Sequence, residues 1–256
     1  MAIKAGFDLG STAIKVVLTE GAQLLWSGQT PTAPGQETLA KGLLEKGLAE
    51  LGLPLDAVTQ VAATGYGKGL CGLAESRVDE IRANALGLFR LSSGQARHIV
   101  NIGGQDIKVI HLDERGRVSD FKMNDKCAAG TGRFFELVAR LLDTPITDFA
   151  RLSELATEDI SLNSTCVVFA ESEMVSLMAK GARNGDIIKA LHASVARRVA
   201  MMLNKADLGA GVWLDGGPAK NPALALALED ELLAEVKVLA NPQMTVAFGA
   251  ALSLGV

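Results

Sequence analysis

The sequence predicts an α/β fold of two lobes, each built on the same βββαβα unit, with a cleft between them. Three observations carry this expectation. The first is an internal repeat: Asp8–Val17 (DLGSTAIKVV) aligns without a gap onto Asn101–Ile110 (NIGGQDIKVI), at an offset of 93 residues. The second is that strands and helices follow each copy in a matching order. The third is a glycine turn at the end of three apolar strands: Asp8-Leu9-Gly10-Ser11-Thr12, Asn101-Ile102-Gly103-Gly104-Gln105-Asp106 and Leu214-Asp215-Gly216-Gly217-Pro218.

Each copy of the repeat reads as a strand, a tight turn and a second strand with alternating apolar positions. A short strand at Gln23–Gly28 completes the first triplet. A helix follows from about Glu37 to Leu51, because Leu39, Leu43, Leu44, Leu48 and Leu51 recur on one helical face. An apolar strand ends at Ala63, and a helix covers Asp79–Leu91. After the second copy, Glu114-Arg115-Gly116 turns the chain into a strand at about Arg117–Asn124. Helices at Arg133–Leu142, Val167–Lys180 and Asp186–Lys205 form an insertion. The strand Val212–Asp215, the helix Pro222–Leu233, the strand Glu235–Leu239 and a last helix from about Gln243 close the chain. No Pro/Ser-rich linker separates the halves, so the boundary near Ala96 reads as a hinge. Residues 1–96 are expected to form the first lobe and residues 97–242 the second, with residues 243–256 packing back on the first.

Composition narrows the function. A net charge of −4 with no basic run argues against nucleic acid or an anionic membrane as partner. No stretch of about 18 apolar residues offers a membrane span, and Asp8 arrives before any run of signal-peptide length, so a cytoplasmic location is expected. Three cysteines, an odd number, make a poor disulfide framework. His98, His111 and His192 show no triad spacing and read as solvated or packed, and Met201-Met202 reads as core.

The glycine turns suit polyphosphate, whose oxygens need main-chain N–H groups that glycine lets approach closely. Gly10, Gly103 and Gly104 supply that backbone, Ser11 and Thr12 add hydroxyls, and Lys15 adds a positive charge. Asp8 and Asp106 offer the hard oxygens that Mg²⁺ takes, through water. Gln105, next to Gly103-Gly104, is the residue to position the attacking water. There is no Gly-x-x-x-x-Gly-Lys-Ser/Thr run, which excludes a P-loop enzyme. The glycine-rich Thr64-Gly65-Tyr66-Gly67-Lys68 reads as a flexible loop at the mouth of the cleft.

With these turns the chain resembles the superfamily of actin, hexokinase-like sugar kinases and chaperone ATPases. Asp8–Lys15 matches the first phosphate motif of that superfamily and Asn101–Lys108 the second. Val212–Asn221 matches its adenosine motif, which implies that Gly216, Gly217 and Asn221 meet an ATP or ADP nucleoside. Thr245–Leu252, with Gly249-Ala250-Ala251, looks like its closing hinge helix.

Cys127 precedes Ala128-Ala129-Gly130-Thr131-Gly132 and an amphipathic helix, and Cys166 stands at another helix start. Free N–H groups and the positive helix end favour negative charge at both places. A [4Fe–4S] cluster takes four thiolates, which a two-fold dimer of this chain supplies from Cys127 and Cys166. Four cysteines around zinc, or inert thiols, stay open on chemistry alone. Cys71, in Gly69-Leu70-Cys71-Gly72, reads as an ordinary thiol.

Cys127–Glu136 and Ser164–Leu177 resemble the two cluster segments of the activator ATPases of 2-hydroxyacyl-CoA dehydratases, whose wider family holds the ATPase subunits of benzoyl-CoA reductase. The resemblance runs through nearly the whole chain. It implies a homodimer bridged by one [4Fe–4S] cluster on Cys127 and Cys166 of each subunit. It also implies ATP hydrolysis driving an electron from a ferredoxin or flavodoxin into an iron–sulfur dehydratase or reductase component. That partner binds the substrate, so no residue here encodes it. A small-molecule kinase is the rival reading, but no aspartate of the first lobe has the context of a kinase base. A filament or chaperone protein has no use for the two cysteines. The helix starting at Val167 is expected to carry nucleotide-driven motion to Cys166.

Overall fold

The computed structural model describes residues 2–124, 128–162, 166–203 and 208–255. The first part of the chain runs β1 (Ile3–Leu9), β2 (Ala13–Glu20), β3 (Gln23–Pro31), α1 (Gln36–Leu51), β4 (Val58–Thr64), β5 (Ser76–Arg77) and α2 (Glu80–Leu91). There follow β6 (His98–Ile102), β7 (Ile107–Leu112), β8 (Val118–Met123), α3 (Gly132–Leu141), α4 (Phe149–Glu154), α5 (Val167–Ala179) and α6 (Asn184–Met202). The chain ends with β9 (Val212–Gly216), α7 (Pro222–Leu232), β10 (Val236–Val238) and α8 (Thr245–Leu252).

The strands form two five-stranded sheets, in the orders β3-β2-β1-β4-β5 and β8-β7-β6-β9-β10. These are one topology used twice, so the repeat in sequence is a repeat in architecture. In each sheet the central strand pairs in parallel with the strand after the first helical segment, as β1 does with β4 and β6 with β9. Two elements carried no sequence signal. β5 is a two-residue strand recruited by its pairing with Ala62 and Ala63, and α4 is a six-residue helix.

The chain divides into two compact units: residues 1–97, 111–120 and 243–256, and residues 98–110 and 121–242. In the first, Ile3, Ala5, Phe7 and Leu9 of β1 pack on Leu44 and Leu48 of α1, as the leucine stripe requires. Gly52 stops α1 in the left-handed conformation, with φ 68°, and the N–H of Leu53 closes back on Leu48 O at 2.9 Å. Asp79 caps α2, its Oδ1 accepting from Ile81 N at 2.9 Å. Cys71 is fully buried in this core.

The other face of the first sheet is covered by α8, whose residues Thr245–Ala251 are all buried. α8 lies so close to its neighbours that glycine is needed on each side. A Cβ on Gly249 would strike Ala83 O of α2, one on Gly87 would strike Thr245 O, and one on Gly6 of β1 would strike Ala247 O. In the second unit, Val100, Ile102, Ile107 and Val109 of the sheet pack with Phe134, Phe135 and Val138 of α3 and with α6 and α7. The Met pair departs from expectation: Met201 is 76% exposed. Adjacent residues on a helix lie about 100° apart, so α6 turns only one of the two towards its core.

Candidate nucleotide site and cysteine site

The site begins at the ends of the central strands. Asp8 and Lys15 are cross-strand partners in β1 and β2, and Lys15 Nζ meets Asp8 Oδ2 at 2.8 Å. In the second copy Lys108 Nζ meets Asp106 Oδ1 at 2.6 Å. Asp106 and Lys108 are two residues apart along one strand end, which puts their side chains on one face. Both aspartates are nearly inaccessible, and a charge so placed requires a partner. The aligned lysines, 15 and 108, thus serve aspartates at different positions of the repeat. The first position of the second copy is Asn101, whose Nδ2 donates to Asp215 Oδ2 at 3.0 Å.

The turns between these strands keep main-chain groups accessible. Gly10, Ser11, Gly103 and Gly104 are half-buried and Gln105 is exposed. Gly103 N donates to Asp106 O at 2.8 Å, and a Cβ on Gly103 would come within 2.6 Å of Asp106 Oδ1. Thr32 ties down the first turn, donating Oγ1 to Gly10 O at 2.7 Å and its N–H to Thr12 O at 2.9 Å. Oδ1 of Asp8 and Oγ1 of Thr12 are buried without a hydrogen-bond partner among the described residues.

Sequence reading missed the place of Thr64-Gly65. Asp8 is the register partner of Thr64, and Asn101 is that of Asp215. Thr64-Gly65 is therefore the first unit's counterpart of Asp215-Gly216. The glycines behave alike: Gly65 has φ 84° and Gly216 φ 96°, and a Cβ on either would collide with the backbone of Leu9 or of Ile102, which occupy equivalent places. Gly67 N donates to Leu9 O at 3.0 Å, and Gly65 sits against Asp8 Oδ1. This segment packs on the end of β1, beside the first glycine turn. Only the parallel register of β1 and β4 shows it, and no motif encodes that register.

Asn221, expected to meet the nucleoside, makes two side-chain contacts within its own unit. Its Oδ1 accepts from Ala223 N at 3.1 Å, which caps α7, and its Nδ2 lies 2.8 Å from His192 Nε2. Nδ1 of His192 is 3.3 Å from Ser153 Oγ. Burial pushes the imidazole down to about 4, since an apolar setting disfavours the charged ring. Gly217 opens the short turn Pro218–Lys220 ahead of Asn221.

Cys127 lies outside the described residues. Cys166 is exposed and occupies the N-cap position of α5 with an extended backbone. Among the described residues no side chain caps that helix end. The first-turn N–H groups beside the thiol therefore fit an anionic, sulfur-ligated group. The same helix carries Val168 and Phe169 two-thirds exposed, with Val175 half exposed. The Cys71 thiol is pushed up by burial, which suits an inert core residue.

Residues 5–253 match the family model described as the BadF/BadG/BcrA/BcrD ATPase family. The chain is 40% identical over 248 residues to the activator of lactoyl-CoA dehydratase of Anaerotignum propionicum, covering 96% of this chain and 95% of that one. It is 37% identical over 249 residues to the (R)-2-hydroxyglutaryl-CoA dehydratase activating ATPase of Acidaminococcus fermentans, with 96% and 95% covered. Among solved structures, the activator of the 2-hydroxyisocaproyl-CoA dehydratase from Clostridium difficile with bound ADPNP superposes with a TM-score of 0.92 at 36% identity, covering 98% and 93% of the two chains.

Proposed function

Since the chain belongs to the BadF/BadG/BcrA/BcrD ATPase family, we propose that it is an ATP-dependent activator that delivers a low-potential electron to a 2-hydroxyacyl-CoA dehydratase or a related reductase. One observation carries the reading. A duplicated glycine turn, each copy with a buried aspartate paired to a lysine, shares a chain with Cys166 exposed at the N-cap of α5. Phosphate turns alone serve any ATPase of this architecture. An exposed cysteine among apolar α5 residues suits a shared metal group and a second copy of the chain.

In this reading the N–H groups of Gly10–Thr12 and of Gly104 and Gln105 hold the β- and γ-phosphates, Gly103 lets the main chain come close, and Lys15 neutralises the phosphate charge. Asp8 and Asp106 hold a hydrated Mg²⁺. Gly216 and Gly217 approach the nucleoside, while Asn221 supports that wall through α7. Gln105 orients a water against the γ-phosphorus. As the water's oxygen bonds to phosphorus, the bond to the ADP oxygen breaks, and the water's protons end on phosphate and solvent. A [4Fe–4S] cluster held by Cys127 and Cys166 of each of two subunits would supply a one-electron carrier, filled by a ferredoxin or flavodoxin. The acceptor is the iron–sulfur component of the partner enzyme, in the cytoplasm.

Iron analysis of the protein purified without oxygen tests this. About four irons per two chains are expected, with a brown colour lost in air. Cys127→Ser and Cys166→Ser should lose the iron yet bind ADP as before. A Cys166→Ser protein with its full iron content would overturn the assignment.

A further inference from the structure

The second glycine turn is bonded to the chain on both sides of Cys127. Before it, Asn124 clamps the residue that leaves the turn: Asn124 Oδ1 accepts from Ile107 N at 2.7 Å, and Asn124 N donates to Ile107 O at 3.1 Å. After it, the first turn of α3 is capped by the glycine turn itself. Gly132 N donates to Gly103 O at 2.9 Å and Arg133 N to Gly104 O at 3.1 Å. The hydroxyl of Thr131, fully buried, lies 3.0 Å from Gly104 O and 2.7 Å from Ala128 O. Thr131 thereby joins the turn to the segment that follows Cys127. Gly130, with φ 86°, leaves no room for a side chain between Arg198 and Ile107.

Amide planarity gives these bonds a direction. The carbonyl of Gly103 shares one rigid plane with the N–H of Gly104, and the carbonyl of Gly104 shares one with the N–H of Gln105. N–H groups that rotate towards a phosphate oxygen turn their carbonyls with them. Those carbonyls are the acceptors that hold the head of α3. α5, which bears Cys166, packs on α3 and α6, so it receives such a movement second-hand.

We propose that the occupancy of the Gly103–Gly104 turn is read through these two peptide planes by the head of α3, with Thr131 as the positioning residue that couples the turn to the Cys127 side. This rests on the reading that the turn binds terminal phosphate. It assigns the primary link to α3, where sequence alone had pointed to the helix after Cys166.

The test uses the full chain with a non-hydrolysable ATP analogue, with ADP and with neither, and measures analogue affinity separately. Two readouts are followed: hydrogen exchange at the Gly132 and Arg133 amides, and the alkylation rate of Cys127 in the iron-free protein. The analogue should change the Cys127 rate by about fivefold or more, the low end of ordinary site-to-site coupling, and alter exchange at both amides. Thr131→Ser, which keeps the hydroxyl, should retain the effect. Thr131→Val, of nearly the same shape, should bind the analogue but lose most of it. The inference falls if Thr131→Val keeps the wild-type ratio. It also falls if the analogue binds the wild type without changing either readout, a result that needs no variant and leaves the nucleotide reading standing. An analogue that does not bind at all removes both.

Discussion

His192 is enclosed by Phe135, Phe149, Ser153 and Asn221, with ring centroids 5.9 and 6.5 Å from the two phenylalanines. Its imidazole is pushed by burial from 6.5 to about 4. The unfolded chain therefore binds a proton between these values that the folded chain refuses. The stability this confers is complete above about 6.5 and is lost as pH falls towards 4, a difference of roughly 3 kcal/mol at most. The melting temperature should fall through that window. His192→Leu should flatten this acid limb, while losing stability at neutral pH because Asn221 and Ser153 lose a partner. An equal acid slope in both proteins would show that other groups govern it. Gln105 poses a separate question, because an exposed turn residue contributes little to folding. Gln105→Ala should lower ATP turnover by roughly tenfold or more through lost positioning of water, with analogue affinity retained. Unchanged hydrolysis would remove Gln105 from the reaction.

α8 shows how an element can be specified by what it lacks. It is apolar on all sides, and the structure buries it against α2 and β1 with Gly6, Gly87 and Gly249 at the contacts. Gly249→Val puts a branched side chain against Ala83 O, and the helices must separate. A loss of roughly 3 kcal/mol is expected, the upper range for overpacking, read as a lower denaturant midpoint. An unchanged midpoint would mean that α8 is free to shift. α1 and α2 were both legible, α1 from its leucine stripe, while the Asp79 cap of α2 came only with the structure. So were α3, α5, α6 and α7, within three residues at each end. α4 and β5 were not, because six residues and two residues carry too little periodicity to stand out.

For the molecule as a whole, the described helices include none long and apolar enough to cross a membrane. Exposed apolar residues instead gather on α5, where Val168, Phe169, Val175 and Met178 accompany Cys166. The proposed dimer, with its axis near that helix, would cover them and bring two copies of the cysteine together. The iron-loaded protein should sediment at twice the 26.8 kDa of one chain. Phe169→Glu should weaken the dimer and the iron content together. A strictly monomeric protein with bound iron would rule out a shared cluster.

The sequence by itself determined the duplication, the three glycine turns and the cysteines, because these depend on local backbone freedom and side-chain chemistry. A gapless ten-residue repeat, glycine at strand ends and Cys166 at a helix start can all be read within short windows. Tertiary structure alone decided which groups meet. The lysines of the two copies choose different aspartates, Thr64-Gly65 takes the place equivalent to Asp215-Gly216, Asn221 caps a helix and holds His192, and Gly103 and Gly104 cap α3. The Asp8–Lys15 pair, the place of Thr64-Gly65 and the capping of α3 depend on strand register or on main-chain hydrogen bonds between distant segments, and the Asn221–His192 contact on two side chains brought together by packing. Backbone N–H and C=O groups are the same in every residue, so their pairing leaves no mark on the sequence.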